Sequence, residues 1–75
     1  MKIYTLKWAR NTEADLAGYR VYLSVDGGKT WTLRKTVTED VLGLRLLLPT
    51  KTYRFSYTAF DWAGNEGSKR VITAS

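Results

Sequence analysis

The 75-residue chain contains no cysteine, no histidine and a single proline. Without cysteine it has no disulfides, no thiolate nucleophile and no cysteine-type zinc site. Without histidine it has no Ser-His dyad, no imidazole general base near neutrality and no imidazole metal ligand. These two gaps remove the equipment of most enzyme classes and leave carboxylates as the remaining catalytic material. They do not set the compartment, because a cysteine-free chain suits reducing and oxidising surroundings equally. Long apolar runs are missing too: the longest aliphatic one is Leu46-Leu47-Leu48, against the ~20 residues of a spanning helix, so no membrane span is expected. Met1-Lys2-Ile3-Tyr4 carries one charge and no apolar h-region, so no secretory signal is expected. Any route out of the cell would then run through a partner, a larger particle or lysis.

What the chain does have is the composition of a folded domain. Hydrophobic residues make up 44% and aromatic residues 13%, more than a disordered segment carries. The length predicts one domain over residues 1–75, near the small end of what one core stabilises unaided. Twelve basic residues against seven acidic ones give a net charge of +5. That permits attraction to nucleic acid or acidic surfaces, but spread over a whole domain it is a modest field, and nucleic acid is not the expected partner.

Alternation dominates the pattern and helical periodicity is nearly absent. Tyr4, Leu6 and Trp8 share one side of a first strand, with Ile3, Thr5 and Lys7 on the other. Asn11 to Gly18 reads as a polar loop whose helix-like stretch, Thr12 to Leu16, is too short to nucleate alone. A second strand follows at Tyr19 to Leu23, with Tyr19, Val21 and Leu23 inward. Asp26-Gly27-Gly28 is a hairpin signal, since glycine supplies the positive φ that a tight turn demands. Further strands are predicted over Trp31 to Val37, Val41 to Leu48, Tyr53 to Ala59 and Lys69 to Thr73. Pro49 ends the fourth of the six, because proline cannot donate to a ladder. In that strand Leu42, Leu44 and Leu47 are expected to face inward, leaving Leu46 and Leu48 as an apolar surplus outside. Six strands separated by turn signals predict an all-β sandwich.

Three segments, in order, resemble a fibronectin type III domain of the bacterial and phage type: Leu6-Lys7-Trp8, Asp15-Leu16-Ala17-Gly18-Tyr19-Arg20-Val21-Tyr22, and Leu47 to Phe55 continuing to Asp61 and Ala63-Gly64-Asn65. The resemblance covers Ile3 to Thr73 and implies an immunoglobulin-like sandwich of six to seven antiparallel strands, with a buried Trp8. The spacing Leu47-x-Pro49-x-x-x-Tyr53 places Tyr53 at that fold's tyrosine corner, whose phenol bonds back to the backbone upstream. Such sandwiches run to about 100 residues, so this sequence is about one strand short at its front. Lys2, Tyr4, Leu6 and Lys7 then form an edge strand. Its lysines either blunt it against aggregation or flank a site where another chain or a second copy adds a strand. Ser24-Val25-Asp26-Gly27-Gly28-Lys29-Thr30-Trp31 is similar to the Asp-box hairpin of sialidase-type propellers. A single copy excludes a propeller by length, so Asp26, Gly28 and Trp31 are expected to build a connection rather than a ligand site.

The remaining chemistry is sparse. Glu13 with Asp15, Glu39 with Asp40, and Asp61 with Glu66 are the carboxylate pairs, and a small filled sandwich offers no deep cleft to raise the pKa of one member. Asn11, Glu13 and Asp15 offer fewer oxygens than calcium requires. No catalysis, metal or cofactor is therefore expected. The outward residues of neighbouring strands say more. Arg20, Tyr22, Arg34, Arg54 and Phe60, with Trp62 just beyond, are expected on or beside one sheet face. Arginine with exposed aromatics is the composition of interface cores, and equally of cross-strand pairs that only stabilise a sheet. The leading expectation is a non-catalytic structural or interaction module, docked on a protein partner or second copy in an assembly such as a phage or viral particle. The alternative is a carbohydrate-binding accessory module that stacks sugars on Trp31, Trp62 and Tyr22.

Overall fold

A computed structural model describes residues 1–12, 15–72 and 74. Glu13 and Thr73, expected in a loop carboxylate pair and at the end of the last strand, lie outside the described residues. Among the described residues six strands form: β1 (Lys2–Lys7), β2 (Leu16–Ser24), β3 (Thr32–Thr38), β4 (Gly43–Leu48), β5 (Arg54–Asp61) and β6 (Arg70–Ile72). β1 and β4 make a two-stranded antiparallel sheet, and the order β3-β2-β5-β6 makes a four-stranded antiparallel one. Among the described residues no helix forms.

Aromatic rings hold the two layers together. From β1, Tyr4 meets the edge of Tyr53 at 5.1 Å and packs on Phe55 at 5.7 Å. Trp8 stacks on Tyr57 at 5.8 Å and 24°, and stands edge-on to Tyr19. Ring pairs of this kind add about 1 kcal/mol each beyond the area they bury. Leu6, Tyr19 and Val21 are wholly buried between the sheets. The Tyr53 hydroxyl donates to the Pro49 carbonyl at 2.6 Å and fixes the entry into β5. The arrangement is a β-sandwich with a small sheet over the middle of a larger one.

β2 begins earlier than its alternation suggests. Leu16 and Ala17 are buried and belong to the strand rather than to the loop before it. Gly18 explains how: a Cβ there would lie 2.1 Å from the Val37 carbonyl oxygen and 3.2 Å from the Phe60 ring. Only a bare backbone lets β3 approach that closely.

The orientation of β4 corrects the expectation for its leucines. Leu48, Leu46 and Leu44 stand opposite Lys2, Tyr4 and Leu6. Directly opposed residues share a face, so these leucines join Tyr4 and Leu6 on the inner side. Leu46 and Leu48 are buried core residues, not a surplus outside, whereas Leu47 stands opposite Ile3 and is 60% exposed. Leu42 lies before the strand and is exposed. Three consecutive leucines carry no alternation of their own, so the partner strand sets their phase.

Candidate functional site

The outer face of the four-stranded sheet gathers most of the residues singled out from sequence. The register sets Phe60 beside Gly18, Thr58 beside Arg20, Ser56 beside Tyr22 and Arg54 beside Ser24. Arg20, Tyr22, Arg54 and Phe60 therefore share one face. Arg34 is passed over at a β-bulge between Val21 and Tyr22, and Leu33 takes the place opposite Tyr22. Trp62 stands in the turn after β5, 80% exposed, its backbone N–H donating to the Asp15 carbonyl at 3.3 Å.

Glu66, considered from sequence only as half of a carboxylate pair, organises this face. It folds back to bridge Phe60 and accepts from Arg20 Nη1 at 2.9 Å and from the hydroxyls of Tyr22 and Thr58. The Thr58 and Tyr22 hydroxyls hold its carboxyl below the usual range. Burial, and then the negative Glu66, push the Tyr22 phenol up. The Arg20 guanidinium lies over the Phe60 ring at 4.3 Å, and the Lys69 ammonium over the Tyr22 ring at 4.6 Å. Much of the polar capacity of Arg20 and Tyr22 is thus used within the chain. No local pattern pointed to this role, because Arg20, Tyr22 and Thr58 belong to other strands.

The Asp26 hairpin is also self-satisfied. Asp26 accepts from the Ser24 hydroxyl at 2.7 Å, the Thr30 N–H at 3.0 Å and the Thr30 hydroxyl at 2.6 Å. These bonds, the Thr30 ones foremost, pull its carboxyl far below the usual range. Gly27 and Gly28 take positive φ, and the Gly28 Cα faces the Trp31 ring and the Arg54 side chain. Asp61 accepts from the Asn65 N–H and side-chain amide, and Asp40 from the Thr38 hydroxyl. Among the described residues no cluster of three acidic side chains could hold a metal ion. Nor does any ring contact there join Trp31, Trp62 and Tyr22.

The edge of β1 is different in kind. β4 occupies one side of this strand, and among the described residues no strand occupies the other. Trp8, next in register opposite Leu42, donates to the Leu42 carbonyl at 3.1 Å. In an antiparallel ladder the bonded positions alternate, so Leu6, Tyr4 and Lys2 bond to β4 and the N–H and C=O groups of Ile3, Thr5 and Lys7 point away. Beside this open edge lie the exposed apolar side chains of Met1 and Ile3, with exposed Leu47 across from Ile3 on the paired strand. β1 and β4 together carry Lys2, Lys7 and Arg45 and no carboxylate. The Tyr4 hydroxyl, which donates to the Lys51 carbonyl at 3.0 Å, pins the strand in place.

Comparison of the chain with protein-family models, with curated proteins and with solved structures returns no match.

Proposed function

We propose that the chain is a non-catalytic interaction module that docks in a larger assembly by accepting a partner strand on the open edge of β1. One observation carries this: a strand tied down by β4 and by the Tyr4 hydroxyl presents unpaired N–H and C=O groups next to exposed Met1 and Ile3. Strand addition draws affinity from such main-chain groups and specificity from alternate side chains. The cations Lys2, Lys7 and Arg45, with no acid on either strand, favour an extended partner segment rich in Asp or Glu. Support for a fibronectin type III-like sandwich comes from the strand order, β1-β4 against β3-β2-β5-β6, and from the Tyr53 phenol bonded to Pro49. A small subunit of a phage or viral particle is the setting that this resemblance implies.

Thr5→Pro tests the proposal. The Thr5 N–H points away from β4, so proline there blocks an incoming strand and leaves the β1–β4 ladder whole. In the native source, wild-type chain is expected to co-sediment with a larger particle. The folded Thr5→Pro variant is expected to sediment as a free 8.6 kDa monomer. Co-sedimentation of the variant at the wild-type level would overturn the proposal, as would free monomer from the wild type.

A further inference from the structure

The carboxylates of this molecule are kept out of its strands. Among the described residues only β5 carries one, Asp61 at its last position, and β5 lies inside the larger sheet. The four marginal strands carry cations alone: Lys2 and Lys7 on β1, Arg45 on β4, Arg34 and Lys35 on β3, and Arg70 on β6. Two copies meeting edge to edge would bring only like charges together, which destabilises a strand pair. A second copy is therefore a poor occupant for the open edge of β1.

The outer side of the small sheet is graded from end to end. Exposed Ile3 and Leu47 oppose each other at one end, Thr5 opposes Arg45 in the middle, and Lys7 opposes Gly43 at the other. Lys7 lies against the bare glycine: a Cβ on Gly43 would be 3.8 Å from the Lys7 Cγ. Lys7 and Arg45 border one shallow recess of about 280 Å³, and among the described residues neither forms an ion pair. The inner side of β1 is apolar, with Tyr4 and Leu6 buried.

An added strand meets each of these positions in turn, because directly opposed residues share a face. Resting on the strand-addition reading, we propose that the partner is an antiparallel segment of a different protein with its acids at one end only. Its carboxylates fall opposite Lys7 and Thr5, and its apolar residues opposite Leu6, Tyr4 and Ile3. The carboxylate beside Thr5 also faces Arg45 across two strand spacings, about 10 Å, a gap that the two long side chains close between them. Antiparallel pairing follows the ladders of this molecule, all of which are antiparallel, and is the slightly stronger mode. From its N-terminus the segment therefore reads acid, apolar, acid, apolar, apolar. A slip of one residue would turn its carboxylates onto the core side, so the same pattern fixes the register.

The test is a chemical-shift titration of the full chain with three end-capped peptides: Glu-Val-Glu-Val-Ile, Lys-Val-Lys-Val-Ile and the reversed Ile-Val-Glu-Val-Glu. The first is expected to give saturable shifts at the amides of residues 2–8, with the millimolar affinity that a short, unordered peptide allows. The lysine peptide should bind at least about tenfold more weakly, and the gap should narrow as salt is raised. Lys7→Glu should weaken the first peptide about fivefold and strengthen the lysine peptide. Lys7 is exposed, so an unchanged spectrum away from β1 checks folding. Thr5→Pro should abolish the shifts. Equal binding of the acidic and lysine peptides, lost in Thr5→Pro, would overturn the acidic partner and leave strand addition standing. Acid-selective binding that survives Thr5→Pro would overturn strand addition itself. Tighter binding of the reversed peptide would overturn the antiparallel register, and absence of saturable shifts from all three would overturn the proposal.

Discussion

Glu66 shows how much one side chain decides on this surface. Its carboxylate is the shared acceptor of Arg20, Tyr22 and Thr58, and it ties the β5–β6 connection to the outer sheet face. Its folded-state pKa is depressed, so its contribution is fully present above the ordinary carboxyl range and is lost as pH falls through and below it. Glu66→Gln should therefore melt lower than the wild type near neutrality, and the two curves should converge in acid. Thermal unfolding followed by circular dichroism between pH 7 and pH 2 checks this. The variant keeps some acid sensitivity of its own, because Asp26 and Asp61 are depressed in the same sense by their own turn hydrogen bonds. A gap between the curves that stays constant with pH would show that Glu66 acts by packing alone.

At the scale of the element, β4 marks the limit of what its own residues encode. The positions of all six strands were legible, since period-two alternation and glycine or proline turns flag them directly. The inward phase of β1, β2 and β5 was legible too, because polar and apolar residues alternate there. Leu46-Leu47-Leu48 offers no such contrast, and only the pairing with Tyr4 and Ile3 decides which leucine is buried. The bulge that displaces Arg34 was equally hidden, because a bulge shifts the register without changing composition. Glu66 was hidden for a third reason: its partners are on β2 and β5, joined to it only by the folded chain. The phase of β4 has a direct consequence. Leu46→Ala is expected to cost about 3 kcal/mol, the usual loss for a buried leucine. Leu47→Ala, on the exposed side, should change stability by less than about 0.5 kcal/mol. Urea unfolding of the pair measures the difference; equal losses would contradict the assigned faces, and a larger loss at Leu47 would reverse them.

The whole molecule is an unequal sandwich, two strands over four, with no disulfide available to reinforce it. The lack of cysteine, first an argument about chemistry, bears on architecture as well: with no covalent cross-link, the two sheets are held mainly by rings and aliphatic side chains meeting between them. That cohesion is centred on β2 and β5, where Tyr19, Val21 and Phe55 are buried. β3 lies at the margin of the larger sheet, and of its seven residues only Val37 is half-buried while the rest are exposed. Its amides are held by the ladder to β2 and by little else. β3 should consequently open without the rest of the molecule. In native-state hydrogen exchange its protected amides are expected to exchange at least about a hundredfold faster than those of β2 that face β5, with a weak dependence on denaturant that marks small-scale opening. Uniform exchange across all six strands would show a single cooperative unit. If β3 does detach on its own, Tyr22 and Val21 are uncovered transiently along one side, and the margin of the larger sheet passes from an exposed polar strand to a buried apolar one while β3 is away.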